Sequence, residues 1–216
     1  MGRVGVLGGT FDPPHYGHLA LAEAALTQLE LAQVLFVPAG APPHKPGRPL
    51  TAAHHRAAMV EAAVAGQPAF ALSRVDLDRP GPHYTVDMLA LLRQALPGSE
   101  LYFLLGSDSL HDLPSWRDPA GIVRQACLAV LGRPGWEADW EALERAVPGL
   151  RGRLVRLEAP LLAISSTDLR WRARQGLPLT GLVPPAVEEY ILQHGIYLHP
   201  REKSKLSAPS AVEEAC

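Results

Sequence analysis

The sequence predicts an α/β protein, a doubly wound parallel sheet with a small C-terminal helical part. Three observations predict it. Short apolar runs alternate with helical patterns along the chain, the order expected of strands joined by helical crossovers. The runs are apolar at consecutive positions, as strands covered on both faces tend to be. The first run also opens into a glycine turn that leads directly to a helix start, and in such sheets ligands bind outside the carboxyl ends of the strands.

The elements follow in order. A strand is expected over 3–8, carried by the apolar run Val4 to Leu7. The Ala/Leu-rich pattern from Leu19 to Leu29 predicts a helix over 17–30. Further strands are expected over 33–38, 69–73, 101–105, 126–131 and 153–157. Further helices are expected over 52–65, 84–95, 118–124, 137–146, 166–174 and 185–194. Ser165, Ser166 and Thr167 supply capping side chains for the helix at 166, and Gly195 after His194 is a helix stop. Residues 38–50 hold five prolines and two glycines, a long stiffened loop of the kind that is often functional. From Pro200 the chain turns small and polar, so 1–199 is expected to be one Rossmann-like domain, with its helical part at about 160–199, and 200–216 a flexible tail.

A chain of 216 residues is long enough for one sizeable core. Its 20 basic and 22 acidic residues nearly balance, which argues against a nucleic-acid surface or a polybasic membrane patch. No apolar run approaches the ~20 residues needed to span a bilayer. Two cysteines, Cys127 and Cys216, form no disulfide framework, and no N-terminal signal is visible, so a reducing cytoplasm is expected. The lysines are Lys45, Lys203 and Lys205, which makes Lys45 the only one in the body of the chain.

The most informative stretch is Gly8-Gly9-Thr10-Phe11-Asp12-Pro13-Pro14-His15-Tyr16-Gly17-His18. Helix N-termini offer N–H groups and a partial positive charge, which suit phosphate. Glycine lets the backbone approach an anion closely. His15 and His18 are three apart and can face one way. An isolated His-x-x-His at a helix start is an ordinary surface pair; after this glycine turn it reads as a pair of donors to a triphosphate. No P-loop and no Gly-x-Gly-x-x-Gly fingerprint is present. No His-Glu-x-x-His helix or cysteine pair completes a zinc set.

Gly-Thr-Phe-Asp-Pro followed by His-x-Gly-His resembles the first signature of the nucleotidylyltransferase superfamily. Ile164-Ser165-Ser166-Thr167-Asp168-Leu169-Arg170 resembles its second, with Leu169 in place of the usual isoleucine. Pro42-Pro43-His44-Lys45, His83-Tyr84-Thr85, and Gly106-Ser107-Asp108 with Trp116 are similar to segments of the bacterial nicotinate-nucleotide adenylyltransferases. The resemblance covers residues 3–197. It implies transfer of AMP from ATP to nicotinate mononucleotide, giving deamido-NAD and pyrophosphate, with no covalent enzyme intermediate, and with Mg²⁺ as the metal, held mostly by ATP phosphates and water rather than by protein side chains.

The resemblance also implies roles. His15, His18, Lys45 and Arg170 would act on the phosphates. Gly8, Gly9, Thr10, Phe11, Ser165, Ser166, Thr167 and Asp108 would bind ATP. Tyr84, Thr85 and Trp116 would hold the nicotinate nucleotide, with Trp116 stacked on the pyridine ring. Asp12 is divided between a turn role and a role in positioning the site. Arg56 stands evenly between a surface charge and a site residue. Trp136, Trp140 and Trp171 read as structural, and Arg172 and Arg174 as solvated. The pantetheine-phosphate adenylyltransferases share both superfamily signatures, but are usually shorter and lack the Pro-Pro-His-Lys and His-Tyr-Thr context. Monomer and homo-oligomer both remain open.

Overall fold

The computed structural model describes residues 2–40, 50–132, 139–160 and 162–198. Among them, six strands form one parallel sheet: β1 (Arg3–Gly9), β2 (Gln33–Pro38), β3 (Phe70–Leu72), β4 (Glu100–Gly106), β5 (Cys127–Leu131) and β6 (Leu154–Leu157), in the order β3-β2-β1-β4-β5-β6. Every strand end falls within one residue of its expected position. The helices are α1 (Tyr16–Gln28), α2 (Ala53–Val64), α3 (Thr85–Ala95), α4 (Ser107–Asp112), α5 (Pro119–Gln125), α6 (Trp140–Ala146), α7 (Ser166–Arg174) and α8 (Pro185–Gln193). Helix α4 was not expected, because six residues are too few to show an apolar period. Its Leu110, with Leu113 three positions on, is nonetheless fully buried.

The consecutive apolar positions of the strands feed two cores, one on each face. Val4, Val6, Leu101, Phe103, Leu105, Leu128 and Val130 pack with Met88, Leu89 and Leu92 of α3 and Ile122 and Val123 of α5. Their strand neighbours Leu7, Val34, Phe36, Leu104 and Ala129 pack on the other face with Leu21, Ala22 and Ala25 of α1 and Val60 and Val64 of α2. Each fully buried Leu, Val or Phe contributes about 1.5–3 kcal/mol.

A third cluster docks the C-terminal helices on α2: Met59 packs with Leu169 and Ala173 of α7, Val187 and Ile191 of α8, and Leu179, Val183 and Ile196. Leu169, the departure from the second signature, is fully buried there, so the position asks for an apolar side chain and leucine supplies it. Gly195 takes φ +57 after α8, the left-handed conformation its role as a stop requires.

Strand order reverses between β1 and β4, which pair from Arg3 with Glu100 to Val6 with Phe103. A crevice opens at that switch, beyond Gly9 and Gly106. At Gly8 a Cβ would lie 3.3 Å from the Phe103 ring of the adjoining strand, so the close approach of β1 to that ring favours glycine.

Candidate active site

The turn after β1 is held from several directions. Phe11 sits at φ +50, a left-handed conformation that a bulky residue rarely adopts. Its ring is buried, 5.8 Å from the Phe36 ring and edge-on to His18 at 4.9 Å. A Cβ at Gly9 would press on it at 3.0 Å. Asp12 is buried rather than part of an exposed turn. One carboxylate oxygen accepts from the Tyr197 hydroxyl at 2.5 Å and the other from the Thr51 N–H at 3.3 Å.

His15 caps α1 and His18 lies in its first turn. The rings are nearly stacked, 3.7 Å between centroids. The N–H of His15 donates to Nδ1 of His18 at 3.2 Å. Burial pushes the His15 imidazole down to about pH 4; burial, and then the neighbouring His15, hold His18 well below the ordinary value. Both rings are therefore neutral at pH 7. Because Nδ1 of His18 accepts, its proton is assigned to Nε2, making that atom a donor. Nδ1 of His15 is buried with no hydrogen-bond partner among the described residues. At the start of α1 the Tyr16 N–H is taken up within the protein, donating to the Leu182 carbonyl at 3.1 Å.

Helix α7 brings the second signature onto the first. Ser165 is its cap, accepting from the Asp168 N–H at 3.1 Å. The Ser166 hydroxyl donates to the Pro13 carbonyl at 2.9 Å, across 153 residues of chain. Nη1 of Arg170 donates to the Asp12 carbonyl at 2.7 Å, and Nη2 donates to the Thr167 hydroxyl at 3.3 Å.

On the other side, Trp116 packs edge-on to Phe103 at 6.2 Å, and Ser107 is buried with its hydroxyl unpartnered among the described residues. Tyr84 caps α3, which begins at Thr85, and the Arg117 guanidinium covers the Tyr84 ring at 4.5 Å. These two residues stand outside the wall of the cleft that Trp116 lines. His83 is buried, its Nε2 3.1 Å from the Arg79 carbonyl, and its ring lies where a Cβ of Gly40 would be. Lys45, His44 and Trp136 lie outside the described residues, as do 199–216.

Arg56 resolves to neither a surface charge nor a ligand contact. It is 1% exposed and donates to three carbonyls: Thr51 at 2.9 Å, Thr10 at 2.8 Å and Gly40 at 3.1 Å. A signal was available in its sequence setting, because Ala57, Met59 and Val60 make its surroundings apolar. Trp171 is a further correction: it is 52% exposed and lines the cleft. Arg174 is exposed, as expected, and lines the same cleft.

Two cavities meet at His15, His18 and Ile164. One, of about 360 Å³, is walled by Gly8, Gly106, Ser107, Asp108 and Trp116. The other, of about 720 Å³, is walled by Thr10, Phe11, Asp12, Ser165, Ser166, Thr167 and Arg170. The first pairs a flat apolar ring with polar groups; the second is a cradle of hydroxyls, a guanidinium and a helix start. The histidine donors stand at the junction. Such a cleft can hold two ligands end to end and stabilise negative charge between them. Among the described residues no group of three or more His, Cys, Asp or Glu side chains is arranged to hold a metal ion.

Residues 6–172 match the family described as cytidylyltransferase-like. A protein of Thermomicrobium roseum, described as a probable nicotinate-nucleotide adenylyltransferase, is 50% identical over 197 residues, 91% of this chain and 92% of that one. Its counterpart in Moorella thermoacetica is 45% identical over 201 residues, again 91% and 92% of the two chains. Among solved structures, nicotinic acid mononucleotide adenylyltransferase of Plasmodium falciparum, complexed with NaAD, shares the fold at a TM-score of 0.74. That match covers 91% of this chain and 98% of the other at 20% identity.

Proposed function

The chain belongs to the nicotinate-nucleotide adenylyltransferase family, and on that premise we propose how its cleft works. The enzyme transfers the AMP moiety of ATP to nicotinate mononucleotide, giving deamido-NAD and pyrophosphate. The observation that carries the mechanism is the pair of neutral imidazoles where the two cavities meet.

The phosphates of ATP lie in the cavity walled by Thr10, Phe11, Ser165, Ser166, Thr167 and Arg170, with Gly9 at the end of β1, which leads to it, and Gly8 in the wall of the adjoining cavity. The pyridine ring of the acceptor lies against Trp116, towards Tyr84 and Thr85, and Asp108 bonds a sugar or adenine group of ATP. A phosphate oxygen of the acceptor attacks the α-phosphorus. The bond from the α-phosphorus to the bridging oxygen breaks, and pyrophosphate leaves with that electron pair. The nucleophile is already an anion, so no general base is needed. Catalysis rests on alignment and on donors to the charge that grows on the phosphoryl oxygens. His18 Nε2–H and the Arg170 guanidinium supply those donors, joined by Lys45. Mg²⁺ enters with ATP as part of the substrate, held by phosphate oxygens and water. No described helix is long and apolar enough to cross a membrane; a cytoplasmic setting fits the substrates.

Incubating the protein with ATP, Mg²⁺ and separate acceptors, and following pyrophosphate release, tests this reading. Nicotinate mononucleotide should react faster than nicotinamide mononucleotide, and pantetheine phosphate should be inert. Faster turnover of pantetheine phosphate would overturn the acceptor assignment.

A further inference from the structure

We propose that Tyr197 is a positioning residue for adenylyl transfer: its hydroxyl holds the Asp12 carboxylate, and through Asp12 it fixes the Thr10–His15 turn and Arg170. The proposal rests on the reading of the cleft given above. Tyr197 belongs to neither signature and lies 185 residues from its partner.

Asp12 joins three distant parts of the chain. Its two carboxylate oxygens take the Tyr197 hydroxyl and the Thr51 N–H, and its main-chain carbonyl takes Arg170 Nη1. Arg170 thus reaches the cleft by leaning on the peptide whose side chain Tyr197 grips. The turn needs holding. Phe11, immediately before Asp12, is in the left-handed region, a strained conformation for a bulky residue that persists where the surroundings over-determine it. The anchors on this turn come from separate elements: Arg56 of α2 on the Thr10 carbonyl, Tyr197 on Asp12, and Ser166 of α7 on the Pro13 carbonyl. The Tyr197 bond runs to a buried carboxylate, and hydrogen bonds to an ionised acceptor are roughly twice as strong as neutral ones.

The C-terminal segment is shaped to deliver that hydroxyl. Gly195 turns the chain out of α8 at φ +57, Ile196 returns a backbone bond to the Ile191 carbonyl at 2.9 Å, and Tyr197 itself takes φ +68. The side chain joins the cluster around Met59, with its oxygen 4.0 Å from the Met59 sulfur. Burial, and then the Asp12 charge, push the phenol pKa far up, so the group remains a donor. The ring therefore packs, while the oxygen alone reaches the active-site turn. Tyr197→Phe separates the two.

The test uses the full-length chain with Tyr197→Phe, Asp12→Asn and the pair. Tyr197→Phe should still melt cooperatively, because the ring stays. Its kcat should fall about 10- to 100-fold, the scale of a small misplacement of aligned groups. The nicotinate mononucleotide KM should stay within about twofold, since Trp116 stands in the other cavity, while the ATP dissociation constant from calorimetry rises severalfold. Because both substitutions cut one link, the pair should lose no more than about threefold beyond the worse single variant. A Tyr197→Phe protein that keeps kcat, one that loses cooperative melting, or fully additive losses in the pair would each overturn the proposal. Wild-type protein that binds ATP but leaves nicotinate mononucleotide unreacted would overturn the functional reading instead. The ATP dissociation constants of wild type and Tyr197→Phe would still decide the role of Tyr197.

Discussion

The backbone N–H of His15 donates to Nδ1 of His18, 3.2 Å away. One short contact between the cap of α1 and the first turn of that helix orients the second imidazole and assigns its proton to Nε2. The two imidazole rings lie 3.7 Å apart, and the Phe11 ring packs T-shaped with that of His18 at 4.9 Å.

His18→Ala should therefore cost turnover far more than ATP binding. Losing one preorganised donor to a developing charge typically lowers kcat about 100- to 1,000-fold. Steady-state kinetics with calorimetry of ATP binding separates the two quantities. Equal turnover in variant and wild type would remove His18 from the reaction.

Arg170→Lys should lower activity and raise the ATP KM. Arginine is held by the Asp12 carbonyl and the Thr167 hydroxyl and, with five N–H groups, has others to offer a phosphate. A lysine ammonium cannot keep that planar geometry. An unchanged ATP KM would mean that Arg170 serves only the protein.

Trp116→Ala should raise the acceptor KM and spare that of ATP. The indole packs edge-on to Phe103 and lines the smaller cavity, where an aromatic ring suits stacking on a pyridine. Discrimination between nicotinate and nicotinamide should persist in the variant, because it depends on hydrogen-bond donors to the carboxylate rather than on stacking. Loss of discrimination with an unchanged KM would reverse these roles.

The ATP-free protein should lose stability as pH falls from about 6.5 towards about 4. His15 has its folded pKa lowered to about 4, and His18 is also held well below the ordinary value. Over that window the unfolded chain binds protons that the folded chain refuses, so acid favours unfolding. The contribution from His15 levels off below about pH 4. Urea midpoints at pH 7.5, 6 and 5 measure this, and His18→Gln should lose less over the same range. A midpoint independent of pH, or the same decline in both proteins, would sink the argument. Bound ATP should weaken the effect, because phosphate charge beside an imidazole raises its pKa.

The sequence by itself determined the strands, the direction of the sheet and the two signatures that line the cleft. Each is a local pattern: consecutive apolar residues, a glycine turn, a serine cap followed by a helix. The chain alternates such patterns cleanly, and in a parallel sheet that alternation leaves few topologies. Helix α4 escaped because six residues carry no period. Tyr84 and Thr85 were legible as a helix start, but their distance from the wall around Trp116 was not.

What only the tertiary structure decided is which residues hold the site together. Arg56 stands evenly between a surface charge and a site residue until the carbonyls of Thr10, Gly40 and Thr51 are seen to converge on it. Trp171 reads as structural until the docking of α7 on α2 is seen to leave it exposed in the wall of the cleft. Ser166 with Pro13, Arg170 with Asp12, and Tyr197 with Asp12 are each joined across more than 150 residues. A hydrogen bond depends on distances of tenths of an ångström, set by the summed path of every strand and helix between its partners. Periodicity and caps act over a turn or two of chain, so they specify the elements, and only the packed fold specifies which distant atoms those elements bring within reach.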